Sequence, residues 1–360
     1  YFLRQSSWTD NWIKEITYYL FYHHGDVYMN LYTEMPQMLS VDMLPVLTTG
    51  SDTYTLKADE GALICLSVDD HIIGLDYATG DTQQITVTPQ ELDAQVKRTI
   101  TKQNHYRYEN YITIIPDSGP CLIFNKIEVN DESGNQNGEA DYNETCKLHL
   151  NLHNVGFEEI EDVNVSLQCE HPAITILNGS TTFSKLETGE ILSVENAFEV
   201  HFGDAIEDAE SITFHLSMSN GNFTFEDHFK VRVNAPVLQY TALSMSDSEG
   251  NTIDRFTKGE TAWLHFNIEN QGHSKSLSID NHLVIKAPFV SIAENDITVG
   301  PIEVGASATA DFQVTIDDDA IDSGILNYRA DATSDSHTSL TEGELSLGYT
   351  AEDFEDEDLN

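Results

Sequence analysis

Residues 131–144 read DESGNQNGEADYNE, with oxygen-bearing side chains recurring at alternate positions on either side of Gly138. This is the pattern a short loop uses to wrap a hard cation with oxygen ligands. Set out as a twelve-residue calcium loop, the ligands are Ser133, Asn135, Asn137, the main-chain carbonyl of Glu139, Asp141 and Glu144, with Gly138 at the sharp turn. Serine is a weak first ligand, and Asp131, two residues earlier, can supply the missing carboxylate. With so few carboxylates, affinity is expected in the range of about 10⁻⁴–10⁻³ M, typical of extracellular modules. An Asn/Gly-rich Asx turn explains the same residues without a metal.

A second constellation is His24-Gly25 with Cys65, 41 positions later. Nucleophilic catalysis needs a base within hydrogen-bond reach and a thiol in an exposed, electropositive setting. Cys65 lies inside the apolar run ALICLSV, alternating with Ala62, Ile64 and Leu66, in a strongly acidic chain. It is expected to be a buried structural thiol, and His23 and His24 to close a helix, where imidazolium complements the dipole. The remaining cysteines, Cys121, Cys146 and Cys169, form no CxxC and no zinc spacing. If 155–161 is a hairpin turn, Cys146 and Cys169 come level and a disulfide is open to them; two buried thiols are the alternative. His149 and His153, at i and i+4 on a strand, stand about 13 Å apart, too far to share a metal. They are expected to face solvent, as is His265, the repeat of His149.

The elements that would carry these residues are nearly all strands. Only the first forty residues read as helical: Ser7 and Asp10 fit a capping box, Trp8, Trp12, Ile13, Ile16 and Leu20 recur at helical spacing, and Gly25 stops the pattern. One such helix cannot bury its apolar side alone, so it is expected to finish a larger domain preceding Tyr1. From residue 41, short alternating runs such as DTYTLKA, QQITVTP and YENYITII, parted by Gly, Asp and Asn, indicate β-sandwiches. CKLHLNLHNVG (146–156) then matches AWLHFNIENQG (262–272), an offset of 116 that holds without a gap from Asp131/Asp247 to Gly189/Gly305. Two related β-domains therefore run in tandem, over 119–236 and 237–347, and residues 348–360 form an acidic linker. In the second copy the loop positions hold Glu249, Asn251, Ile253, Asp254, Thr257 and Glu260, so that copy is expected to bind no metal.

With 61 acidic against 17 basic residues, the net charge is −44. Such a surface repels phosphate backbones, which argues against nucleic acid as a partner. No apolar run is long enough to span a membrane as a helix.

Several stretches resemble the gingipain-type, caspase-like cysteine peptidases. YYLFYHHGDVYMNLYTEMPQ is similar to the end of that family's catalytic domain, with Gly25-Asp26 in place and Val27 where the family usually has proline. Residues 41–118 look like its immunoglobulin-like domain, and IFNKIEVNDESGNQNGEADYNETCKLHLNLHNVG with HPAITILNG resembles the adhesion-type β-domains of Bacteroidetes relatives. YTAEDFEDED is similar to the link into a further jelly-roll module. The resemblance implies the last helix and strand of a truncated α/β catalytic domain over 1–40, then three tandem Ig-like sandwiches. It also implies type IX secretion to the cell surface or beyond, and a catalytic His-Gly and Cys upstream of Tyr1. The function expected is support and spacing of that catalytic domain, with protein substrate or extracellular matrix as partner. A non-enzymatic surface adhesin built from the same modules is the competing reading.

Overall fold

The computed structural model describes residues 32–348 apart from 44 and 93. The expected helix, the His24-Gly25 pair and the acidic end lie outside the described residues. Among those described, every regular element is a strand. The alternation in the sequence becomes burial: Thr53–Ala58 is exposed and buried by turns, and Thr261–Asn270 is half-buried and buried by turns along its whole length. Period-two side chains on a sheet with one covered face give this result.

The chain divides into two compact units, Tyr1–Gly119 and Pro120–Asn360. In the first, one sheet has the order β1 (Val41–Asp42), β3 (Thr53–Ala58), β6 (Gln83–Thr86). The other runs β2 (Val46–Thr48), β8 (Tyr108–Ile115), β7 (Val96–Thr101), β4 (Leu63–Val68), β5 (His71–Tyr77). Tyr54, Leu56, Ile64, Leu66, Ile100 and Ile112 pack between them. Arg98, only 1% exposed, lies in this core: Nη1 donates to the Tyr54 hydroxyl at 2.7 Å, and the guanidinium sits 5.3 Å from the Tyr108 ring centre. Burial pushes the Tyr54 hydroxyl up to about 12, with the Arg98 charge pulling the other way.

The second unit holds two sandwiches of the same topology. In the first repeat one sheet runs β13 (Ile174–Asn178), β15 (Ile191–Phe202), β11 (Glu144–Asn154), β9 (Leu122–Asn130). Its partner sheet runs β10 (Ala140–Asp141), β17 (Thr224–Asn234), β16 (Glu210–Ser219), β12 (Ile160–Gln168), β14 (Ser180–Leu186). The second repeat has β23 (Val290–Ile292), β25 (Ser307–Ile316), β21 (Thr261–Asn270), β18 (Leu238–Asp247), β19 (Thr252–Ile253) in one sheet. Its other sheet has β24 (Asp296–Val299), β22 (Ile279–Ile285), β26 (Ser323–Ser334), β27 (His337–Gly348), β20 (Arg255–Phe256). Strand by strand the orders coincide, except that β19 is an extra edge of the second copy. In both, a two-residue strand pairs in parallel with the last strand, Ala140 with Val233 and Phe256 with Leu347. The chain is a tandem of three immunoglobulin-like β-sandwiches.

The repeated Asn-x-Gly has a structural cause. Asn154 and Asn270 end equivalent strands and are completely buried. Asn154 Nδ2 donates to the carbonyls of Glu158 (2.8 Å) and Leu186 (3.3 Å), while Oδ1 accepts from the N–H groups of Cys121 (3.2 Å) and Gly156 (3.1 Å). Asn270 repeats this with Ser274 and Ile302 as acceptors and Val237 and Gly272 as donors. One amide thus satisfies four backbone groups where three chain segments cross. The glycine two residues on is needed for space: a Cβ on Gly272 would lie 2.2 Å from the Ala235 carbonyl oxygen.

Candidate functional site

The loop leaves β9 at Asn130 and returns through β10 into β11, so three strands set its ends. Asp131, Asp141 and Glu144 are buried, with exposures of 6%, 3% and 9%, while residues 132–139 between them are exposed. Their carboxylates are held by backbone and amide donors. Asp131 Oδ2 accepts the Gly138 N–H at 3.2 Å. Glu144 Oε1 accepts from Asn135 N at 3.1 Å, and Oε2 accepts from Asp141 N at 3.2 Å and the Cys146 thiol at 3.4 Å. Asp141 Oδ2 accepts Asn135 Nδ2 at 2.6 Å and Asn137 Nδ2 at 2.8 Å. Its other oxygen, Oδ1, is buried without a hydrogen-bond partner. Gly138 (φ 81°) and Asn143 (φ 55°) take the left-handed turns that bring the chain round. Gly134 lies so close over Glu144 that a Cβ there would overlap the carboxylate.

Among the described residues, no lysine, arginine or histidine forms an ion pair with these three carboxylates. Burial raises the Glu144 carboxyl above its usual range, with the Asp141 charge adding to the rise and the amide donors opposing it. Among the described residues, no group of three or more His, Cys, Asp or Glu has ligand geometry as placed. A calcium reading rests on the donor set and its unneutralised charge, not on a finished cage.

The sequence-derived ligands fall into two classes. Asn135, Asn137, Asp141 and Glu144 share one hydrogen-bond network. Ser133 donates its hydroxyl to the Thr145 carbonyl at 3.0 Å, and Glu139, whose candidate ligand is its main-chain carbonyl, has its carboxylate accepting from Asn234 Nδ2 at 2.6 Å. Asp131, the spare carboxylate of the sequence reading, is brought into the network through Gly138. The equivalent loop of the second repeat is built differently. Asp247 satisfies itself in an Asx turn, accepting Glu249 N (2.9 Å), Asn251 N (2.8 Å) and Asn251 Nδ2 (2.9 Å), while Asp254 pairs with Arg255 and Glu260 is exposed.

Three expectations outside the loop are corrected. Cys65 is half-buried on the face of β4 opposite Ala62, Ile64 and Leu66, level with Leu75 and Thr99, because the period-two alternation turns it away from that core. Cys146 and Cys169 do not pair: β11 bonds to β9 and β15 while β12 bonds to β14 and β16, so 155–161 crosses between sheets and is no hairpin turn. The Cys146 thiol faces Glu144, and the Cys169 thiol faces the Thr213 carbonyl at 3.5 Å. His153, expected in solvent, is 9% exposed, whereas His149 and His265 are half-buried, His265 between Asp311 (2.7 Å) and Ser246 (2.9 Å).

The loop also reaches the second repeat. Tyr142, between Asp141 and Glu144, is 5% exposed, and its hydroxyl accepts the Leu277 N–H at 3.1 Å and donates to the Lys275 carbonyl at 3.2 Å. Its ring meets His337 edge-on at 4.9 Å between centres, and His337 Nε2 lies 3.0 Å from the Ile206 carbonyl. Asp208 accepts from the N–H groups of Ala235 (3.0 Å) and His273 (3.1 Å) and from the His273 ring (2.7 Å). This junction could not be read from the sequence, since its contacts join residues from 65 to more than 130 positions apart.

No family model and no curated protein matches the chain. Solved structures similar to it include the I-band fragment I67–I69 of titin, 12% identical over 86% of this chain and 99% of that one, TM-score 0.22. Drosophila OTK extracellular domains 3–5 are 8% identical over 88% and 100%, TM-score 0.22. The native conformation of Escherichia coli alpha-2-macroglobulin is 10% identical over 87% of this chain, TM-score 0.24, and this chain spans 23% of its length. At such scores the likenesses carry no argument about function.

Proposed function

We propose that this chain is the immunoglobulin-like stem of a secreted, gingipain-like cysteine endopeptidase. It supports the upstream catalytic domain and holds it away from the cell surface, with protein substrate or matrix as partner. The observation that carries the reading is the junction around Tyr142, which joins the two repeats by side-chain and backbone bonds where a flexible tether would leave polar linker. The Gly25-Asp26 match and the likeness of 41–118 to the family's Ig-like domain support the association with a peptidase. Cys65, half-buried in mid-strand, is not arranged as a nucleophile, so the chain turns nothing over by itself.

Purified chain assayed on arginyl and lysyl peptides is expected to show no turnover; turnover abolished by Cys65→Ala would overturn this reading. The surface-adhesin alternative draws on Ile72, Leu75 and Tyr77, which stand 55–64% exposed along the edge strand β5. The coding sequence ahead of Tyr1 separates the two, because a caspase-like His-Gly followed by a strand-ending Cys belongs to the peptidase alone.

A further inference from the structure

We propose that the 131–144 loop binds Ca²⁺ through Asp131, Asn135, Asn137, Asp141 and Glu144, and that the ion stiffens the junction between the two repeats through Tyr142. The inference goes beyond the stem reading and stands whatever precedes the sandwiches.

Three carboxylates are withdrawn from water in one short loop, and among the described residues no cationic side chain pairs with them. Burying unpaired charge is expensive, and proteins relieve it by pairing, protonation or a metal. The amide groups of Asn135 and Asn137 now serve as donors to Asp141 Oδ2, a stand-in for positive charge. Asp141 Oδ1 is buried without a hydrogen-bond partner, which singles it out as a free ligand oxygen. The oxygens of the Asn135 and Asn137 amides now accept from the N–H groups of Asn137 (3.0 Å) and Glu139 (2.8 Å). Giving up those two bonds and turning the amides over would present two carbonyl oxygens to the same point, the mixed carboxylate and amide oxygens that calcium favours over magnesium's stricter octahedron. The net charge of −44 raises the local concentration of cations over such a site.

The second copy serves as an internal contrast. Asp247 is satisfied within its own turn, Ile253 replaces Asn137, Thr257 replaces Asp141 and Glu260 is exposed. Of the two loops, the first copy's buries Asp131, Asp141 and Glu144 and inserts a tyrosine into the neighbouring sandwich, whereas the second copy's Glu260 is exposed.

The coupling is geometric. Tyr142 lies between two of the ligands, and its main-chain N–H is fixed by the Asn234 carbonyl (2.8 Å) at the start of the inter-repeat linker. An ion that orders Asp141 and Glu144 therefore also orders the tyrosine that bridges to Lys275 and Leu277. By linkage, closing the junction must raise calcium affinity by the same factor as calcium favours closure.

The test uses the full chain in calcium chloride up to 10 mM, in EGTA and in magnesium chloride. Melting is followed alongside the distance distribution between spin labels placed on the two repeats. Asp141→Asn is the binding variant: its amide keeps an acceptor for Asn135 and Asn137 while the charge is lost, so it should fold in EGTA. Tyr142→Phe is the coupling variant, since it keeps every ligand. Calcium is expected to raise the melting temperature of the wild type and of Tyr142→Phe by several degrees, to shift Asp141→Asn by less than a third as much, and to narrow the label distances in the wild type alone. No calcium shift in the wild type, or an equal shift in Asp141→Asn, would overturn the site. Equal narrowing in Tyr142→Phe would overturn the coupling.

Discussion

Tyr142 of the first repeat and His337 of the second meet ring edge to ring face, 4.9 Å between centres, with each ring also bonded to the backbone of the other's sandwich. The Tyr142 hydroxyl and His337 Nε2 both find backbone partners, while His337 Nδ1 is buried without a hydrogen-bond partner. The two sandwiches are fastened together here by a loop tyrosine and a strand-end histidine, not by a shared sheet.

Replacing Tyr142 with phenylalanine keeps the ring contact and removes the hydroxyl that serves both Lys275 and Leu277. Leaving the half-buried Leu277 N–H and Lys275 carbonyl bonds without this partner should cost about 1 kcal/mol. Urea unfolding of the full chain, following the transition of the second unit, measures it.

Asn154→Ala should be more damaging, at about 3 kcal/mol, because it strands backbone groups from three segments inside the first repeat. Asn270→Ala should cost a similar amount in the second. Paired urea melts of the two variants check both the size and the symmetry of the effect.

Acid should loosen the junction through Asp208. Burial opposes its charge, but the N–H groups of Ala235 and His273 and the His273 ring outweigh this and hold its pKa below the ordinary 3.8. A depressed carboxylate contributes stability that is complete above the unfolded value and is lost as pH falls through the folded one. Asp208→Asn should therefore lower stability at neutral pH and flatten this part of the decline below about pH 4. A series of melts between pH 7 and pH 3 on both proteins tests the sign.

The four thiols should differ in reactivity without any being oxidised. Cys146 is wholly buried, and burial together with Glu144 pushes its thiol far up; burial raises Cys121 to about 11. Alkylation of the native protein should mark Cys65 first and Cys146 last, and denatured, unreduced protein should yield four free thiols. Peptide mapping after timed alkylation reads both.

Much of the fold was legible in the sequence, because strand alternation and the 116-residue offset are local signals. The Asn-x-Gly pair was visible as a repeated motif, and its buried amide explains why the motif recurs. Three things were not legible. Cys65 falls on the outer face because alternation alone does not say which face is covered. Cys146 and Cys169 part because the five-residue connection 155–159 can cross between sheets as easily as reverse within one. Tyr142 looked like a loop residue, and only the second sandwich, through Lys275, Leu277 and His337, shows what it is for. Of the candidate ligands, Ser133 donates its hydroxyl to the Thr145 carbonyl, while Asp131 is buried and accepts the Gly138 N–H.

The most direct measurement is hydrogen exchange along a urea series, read by mass spectrometry on the full chain, comparing peptides from β11 and β21. If the Tyr142 junction makes one cooperative body of the two repeats, both peptides lose protection at the same urea concentration in the wild type and at different concentrations in Tyr142→Ala. Separate midpoints in the wild type, or a common midpoint that survives Tyr142→Ala, would contradict it.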